Sequence, residues 1–125
     1  MALLTPDEVK ALEARHGADL LVIHITEGAD VSLAFKAATA AHWRRLNAAD
    51  KRVLAGDDAA AMVPELIARE LLVHPTKADL DAIRDEAPWI AENAGRALVG
   101  RVASLLLKVE AARFDTRAGP SYPFG

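Results

Sequence analysis

The stretch that decides the fold class is residues 19–36, DLLVIHITEGADVSLAFK. Residues 19–26 are rich in Leu, Val and Ile, and the run is too short for a solid helix, which favours a strand. Residues 31–36 alternate large apolar side chains with small or polar ones, the period of two expected where one sheet face is buried and the other solvated. Gly28 lies between the two runs and can supply the positive φ of a turn. The sequence therefore predicts a β-hairpin.

This hairpin needs a surface to pack against, because two strands alone are only marginally stable in water. Its apolar face must pack on helices of the same chain or on a strand of another chain. The face consists of Leu21, Ile23, Ile25, Leu33 and Phe35. The hairpin is thus a first indication of a protein partner.

Helices are predicted on both sides of the hairpin. Thr5, Pro6 and Glu8 have the spacing of a capping-box helix start, with proline in the first helical position. We expect this first helix to run to about His16, where Gly17 stops it.

The segment after the hairpin begins with a second helix. Thr39 caps it, and Trp43 and Leu46 lie on one of its sides. Residues 47–58 are polar and alanine-rich and contain Gly56, so a loop or broken helix is expected there.

Three prolines divide the C-terminal half into helices. Pro64 predicts a helix that begins or kinks nearby, and Pro75 ends it. Its apolar stripe consists of Leu66, Ile67 and Leu71. Thr76 then caps a short acidic helix that ends at Pro88. A long last helix follows, and it contains two glycines that let a neighbouring helix approach closely, Gly95 and Gly100.

The whole pattern predicts an α+β fold that is mostly helical: an N-terminal helix, one β-hairpin and then a bundle of about four helices. With 125 residues, of which 52% are hydrophobic, the chain is long enough to bury the core of one domain. We expect that domain to span residues 1–114. Residues 115–125 contain Gly and Pro without periodicity, which predicts a loosely ordered tail.

Composition and charge exclude several classes of function. The formal net charge is −3 without a long run of either sign, so neither nucleic acid nor an anionic membrane is an expected partner. No cysteine is present, which excludes disulfides and thiol catalysis and fits a reducing compartment. The N-terminus does not have the pattern of a signal peptide. The most apolar run, residues 97–107, is far shorter than the ~20 residues that span a bilayer.

No motif for catalysis, a metal or a cofactor is visible. None of the four histidines has a second ligand at helical spacing, and no serine has a base placed by a recognisable motif. The acidic residues of the short helix lack the glycine-centred loop that calcium requires, so a solvated face is favoured. We therefore expect a protein that is not an enzyme and binds no cofactor and no metal.

Residues 65–83 have the outline of a helix-turn-helix, two short helices around a tight turn. The second helix is acidic, however, whereas a recognition helix lies between two phosphate strands. Pro75 also occupies a turn where glycine is frequent. A bend in a helical bundle is the favoured interpretation.

The order of these parts resembles the small phage tail assembly chaperones encoded before the tape measure protein. Four features carry the resemblance: LAFKAAT at residues 33–39, Trp43 in the helix that follows, LLVHP at 71–75, and TKADLDAIRDEAP at 76–88, which leads to Pro88 and Ile90 at the opening of the last helix with its glycines. The similarity covers about residues 20–112. One departure is Ala38, where the family commonly has proline ahead of the helix cap.

The resemblance implies a noncatalytic protein of the host-cell cytoplasm that binds the long helical tape measure protein, or other tail proteins, during tail assembly. Such a protein is absent from the finished virion and often has a longer product made by frameshifting, for which the tail after Phe114 would be the place. It could also form a homo-oligomer.

Four large side chains at helix starts and strand ends are the expected partner anchors, because such side chains are frequent at interfaces. They are Phe35, Trp43, Trp89 and Ile90. The alternative for all four is an ordinary core position. For the whole chain, the alternative is a structural component of the virion, a head-tail connector or tail completion protein, with a DNA-binding regulator as a third interpretation.

Overall fold

The computed structural model describes residues 3–26 and 30–118, with side chains described up to Ser104. These residues form five α-helices and a three-stranded antiparallel sheet in the order β1-β2-β3, so the predicted α+β, mostly helical class is confirmed. The elements in chain order are α1 (Pro6–His16), β1 (Leu21–Ile25), β2 (Val31–Phe35), α2 (Ala40–Leu54), a 3₁₀ helix (Asp58–Met62), α3 (Val63–Leu71), β3 (Leu72–His74), α4 (Lys77–Glu86) and α5 (Trp89–Ala118).

The predicted hairpin is present, and its register joins the residues that were expected to share a face. Leu21 pairs with Phe35 and Ile23 pairs with Leu33, so these side chains point toward the same side of the sheet. Leu33 and Phe35 are completely buried in the main core, and the β1 residues pack against that core. The turn glycine, Gly28, lies outside the described residues.

The second face of β2 was expected to be solvated, and that expectation was wrong. All five residues of β2 are buried, including Ser32 and Ala34 on the face away from the core. The Ser32 hydroxyl accepts the Leu4 N–H at 2.8 Å and lies 2.6 Å from His24 Nδ1. The N-terminal segment therefore covers Ser32, and sequence alternation alone could not show that.

The third strand, β3, was not expected, because residues 71–75 were interpreted as the end of a helix. Phe35 pairs with Leu72 and Ala34 with His74, around an irregularity in the register. A residue that precedes proline avoids the helical region, and Pro75 follows His74 through a cis peptide bond. The extended backbone of β3 satisfies the hydrogen bonds of β2 that face away from β1.

Helix α2 continues through the region where a loop or broken helix was expected. It runs from Ala40 to Leu54, and Gly56 follows with a positive φ of 99°. Leu46 and Ala49 are buried, and Val53 packs against the core. These residues recur at helical spacing, so burial of one face outweighs the polar character of the segment.

The predicted starts of α1 and α4 are confirmed. In each, a threonine cap forms a capping box with an acidic residue. The Thr5 hydroxyl accepts the Glu8 N–H, and the Thr76 hydroxyl accepts the Asp79 N–H, each at 3.2 Å. Pro64 lies in the first turn of α3, as expected. Helix α5 begins at Trp89 and reaches Ala118, which includes the first residues of the predicted tail, whereas residues 119–125 lie outside the described part of the chain.

Helices α3 and α5 pack closely, and Gly95 is the reason that they can. A Cβ added at Gly95 would overlap the carbonyl group of Pro64, which belongs to the backbone of α3 and cannot turn aside. At Gly100, which is exposed, a Cβ would have no atom within 4 Å, so this glycine has no such role. The close approach predicted from the two glycines therefore holds for Gly95 alone.

We predict opposite effects from alanine at these two glycines. Gly95→Ala should lower the free energy of unfolding by about 1–3 kcal/mol, because α3 must move to admit the methyl group. Gly100→Ala should raise it by up to about 1 kcal/mol, because alanine is the better helix former and meets open space. Urea denaturation of both variants measures the difference, and equal effects would contradict the packing described.

Candidate functional site

Helix α3 has two apolar flanks, and only one of them belongs to the core. Ile67 and Leu71 are buried, as the predicted stripe required. Leu66 was assigned to that stripe but is 43% exposed, which corrects the assignment. Met62, four residues earlier, is 44% exposed and lies on the same side of the helix as Leu66. The sequence thus places two large apolar side chains next to each other at the surface.

These two side chains line a groove between α3, α4 and the start of α5. The groove has a volume of about 420 Å³. Its lining includes Leu80 of α4 and Ala91 of α5, each of which is 2% exposed, so both lie at its floor. We call this the α3–α4 groove; it is lined by Met62, Glu65, Leu66, Arg69, Leu80, Asp81, Arg84 and Ala91.

The rim of the α3–α4 groove consists of two ion pairs that join its walls. Arg69 binds the Asp81 carboxylate through Nε at 3.1 Å and through a second nitrogen at 3.3 Å. Arg84 Nε lies 2.7 Å from Glu65 Oε2. Arg69 and Asp81 are both about half exposed, so this pair contributes only about 0–1 kcal/mol to stability. Glu65 is only 18% exposed, so its pair with Arg84 is less screened by water. The pairs leave the rim with two charges of each sign.

Helix α4 is held in place by a few contacts. Thr76 caps its N-terminus, Leu80 is buried in the core, and Ile83 packs against that core. Asp81, Arg84 and Asp85 are exposed, as the sequence predicted, whereas Asp79, which was expected to face water with them, is half-buried. The outer surface of this helix, apart from the groove, is thus solvated.

The structure places the four predicted anchors in different environments. Phe35 is 0% exposed at the centre of the core, so in this structure it is not available to a partner. Trp43 and Ile90 are partly buried and pack against the core. Trp89 is 60% exposed, and among the described residues it is the one aromatic residue with a largely exposed side chain. Trp89 and Ile90 directly precede Ala91, which lines the α3–α4 groove.

Sequence reasoning missed the residues that line the groove. Met62 and Leu66 are spaced by four, and so are Val63 and Ile67 on the buried side of the helix. Two apolar rows one residue apart on one helix indicate a stripe wider than a single core contact needs. That signal was present, but the partner wall from α4 could be located only in the folded chain.

A second cleft, of about 600 Å³, lies between the N-terminal segment and the turn after β3. Glu8, His74 and Asp79 contribute to its lining, which makes it more polar than the α3–α4 groove. Hydrogen bonds from the Thr5 backbone and hydroxyl lower the pKa of Glu8. Glu8 and Asp79 each close a helix cap, so both carboxylates already have structural partners.

Two histidines and the buried serine of the described residues have structural roles. Among the residues that the structure describes, no group of three or more His, Asp or Glu side chains is placed to hold a metal ion. Ser32 lies next to His24, but it is 1% exposed and accepts the Leu4 amide, so a substrate cannot reach it. His42 Nδ1 accepts the Thr39 N–H at 3.0 Å, which is a helix-capping role. In the same part of the chain, no helix is both long enough and apolar enough to cross a membrane.

Comparisons with known proteins add no relative. No family model matches the chain, and no match was found among curated proteins or among solved structures. A function must therefore be inferred from the α3–α4 groove, the exposed tryptophan and the motifs of the sequence.

We predict that the two apolar flanks of α3 differ in their contribution to stability. Ile67→Ala should lower the free energy of unfolding by about 2–5 kcal/mol, because it leaves a cavity in the core. Leu66→Ala should lower it by less, about 1 kcal/mol, because Leu66 is 43% exposed and its loss leaves no closed cavity in the core. Thermal and urea unfolding measure both. A cost for Leu66→Ala equal to that for Ile67→Ala would show that the groove is closed in solution.

Proposed function

We propose that this protein is a noncatalytic phage tail assembly chaperone that binds the helical tape measure protein through the α3–α4 groove. The observation that carries the proposal is the pair of exposed apolar side chains, Met62 and Leu66, over an apolar floor. A groove of this kind receives the apolar face of an amphipathic helix, whose side chains recur every three to four residues. The tape measure protein supplies such helices.

The charge around the groove suits a helical protein better than a nucleic acid. Two arginines are each neutralised by a carboxylate, so the rim presents no surplus of positive charge to phosphates. A helix with mixed charges beside its apolar face can exchange partners with the Arg69–Asp81 pair at little cost, because exposed pairs contribute little. The chain as a whole carries a formal charge of −3, which also disfavours nucleic acid.

Trp89 is the anchor that the proposal retains from the sequence. It begins α5, is 60% exposed and lies two residues before Ala91 at the groove floor. Exposed tryptophan is among the residue types most often responsible for binding energy at interfaces. Phe35 is not used by the proposal, because it supports the core. Trp43 and Ile90 pack against the core and do not line the groove.

A structural component of the virion is the second candidate, and one specific observation favours it. Strand β1 is an outer strand of the sheet, and outer strands can join subunits into a continuous assembly. The regulator alternative has less support. Three of the five residues between α3 and α4 belong to the sheet, so this connection is not the free turn of a helix-turn-helix.

The two candidates are separated by where the protein is found. An affinity-tagged chain should recover the tape measure protein from lysates of phage-producing cells, and mass spectrometry of purified particles should not detect the tagged chain. Its presence in particles at fixed stoichiometry would instead support the structural component. Absence of DNA binding at low ionic strength would remove the regulator.

We predict that recovery of the tape measure protein depends on the α3–α4 groove. Met62→Asp and Leu66→Asp should each weaken binding about tenfold or more, because they place a charge where an apolar face docks. The matched control is Leu54→Asp, since Leu54 is 89% exposed and does not line the groove. Isothermal titration with a tape measure fragment gives the affinities. Equal affinities for the three variants would contradict the assignment of the groove.

A further inference from the structure

The outer edge of β1 presents backbone groups that are free to bind another strand. The Lys36 N–H bonds to Leu71 O on the β3 side of β2. The N–H and C=O groups of successive residues in a strand point in opposite directions, so those of the odd-numbered residues of β2 point toward β1. Leu33 is one of these residues, and its partner in β1 is Ile23. The N–H and C=O groups of Val22 and His24 must therefore point away from the sheet. Among the described residues no strand lies on that side of β1, and no turn or loop backbone hydrogen bond involves Val22 or His24.

The side chains of β1 do not protect this edge. Four of its five residues are apolar, and none of them is fully buried. The strand contains no proline, lysine or carboxylate, which are the residues that usually keep outer strands apart. The opposite edge of the sheet is different, because β3 has only three residues and is followed directly by Pro75. Of the two edges that the described residues form, the β1 edge alone has the length and composition to accept a strand.

We propose that β1 pairs with β1 of a second copy of this chain, in antiparallel register about a two-fold axis at Ile23. In this register Val22 of each copy lies opposite His24 of the other copy. The two symmetry-related pairs are both hydrogen-bonded pairs. The outward N–H and C=O groups of both residues are then satisfied. The two three-stranded sheets become one continuous sheet of six strands.

The sequence of β1 fits a copy of itself better than an unrelated strand. Across the axis Leu21 meets Ile25 and Ile23 meets Ile23, and these three residues all lie on the core side of the sheet. They are partly buried in one chain, so the second copy completes their burial. No two like charges come opposite each other within Leu21–Ile25, because His24 meets Val22. The interface is isologous and closes as a dimer.

This pairing does not rest on the proposed function, because β1 and the α3–α4 groove have no residue in common. A strand-paired dimer would carry two grooves, one on each copy. The interface is small for a permanent complex, so its formation should depend on protein concentration.

The test is Val22→Pro with Val22→Thr as the matched control. The Val22 N–H faces outward, so proline removes a donor of the dimer without removing a bond between β1 and β2. Threonine keeps the N–H and the preference for a strand. Sedimentation velocity over a wide concentration range should show dimers for the natural chain and Val22→Thr, and monomers for Val22→Pro. Circular dichroism confirms that each variant is folded.

Hydrogen exchange of the β1 amides tests the pairing in the natural chain, without a substitution that could prevent folding. In the natural chain, the amides of Val22 and His24 should exchange about tenfold or more slowly at high protein concentration than at low concentration, since only the dimer protects them. The Ile23 amide, which faces β2, should be protected at both. A chain that is monomeric at every concentration, or a dimer that leaves Val22 and His24 unprotected, would overturn the proposal.

Discussion

The rest of the structure depends on the burial of β2 on both of its faces and along both of its edges. Phe35 and Leu33 are completely buried on the core side, where each contributes about 1.5–3 kcal/mol to the free energy of folding. Ser32 holds the N-terminal segment on the other side through the Leu4 amide. The two edges bind β1 and β3. A five-residue strand thus joins β1, β3, the N-terminal segment and the main core.

The functional surface follows from how this strand positions α3. Strand β3 follows α3 directly and pairs with β2, so the end of α3 is tied to the sheet. Near its start, α3 packs against α5 at the contact between Pro64 and Gly95. Held at both ends, the helix presents one apolar row to the core and a second row, with Met62 and Leu66, to the α3–α4 groove. The walls of the groove therefore belong to helices and not to a loop.

The sequence allowed much of this frame to be predicted, because caps, prolines and alternation act locally. The hairpin, the capping boxes at Thr5 and Thr76, and the helix start near Pro64 depend on neighbours within a few residues. Strand β3 was missed because its hydrogen bonds come from β2, far away in sequence. The length of α2 was missed because tertiary burial of Ala49 decided it against local composition.

The candidate site was less predictable for a related physical reason. Large side chains at element ends were the signal used, and that signal cannot distinguish a core anchor such as Phe35 from an exposed one such as Trp89. Exposure depends on which elements cover the residue. The groove needs walls from α3, α4 and α5. Gly95 lets α3 and α5 approach each other, and Leu80 is buried on α4.

The most direct test of the central claim is site-specific photo-crosslinking in phage-producing cells. A photoreactive amino acid would replace Leu66 in one variant and Leu54 in a second, and mass spectrometry would identify the crosslinked protein. The proposal predicts an adduct with the tape measure protein from position 66 and none from position 54, because Leu66 lines the groove and Leu54 does not. No adduct from position 66, or equal adducts from both positions, would contradict it.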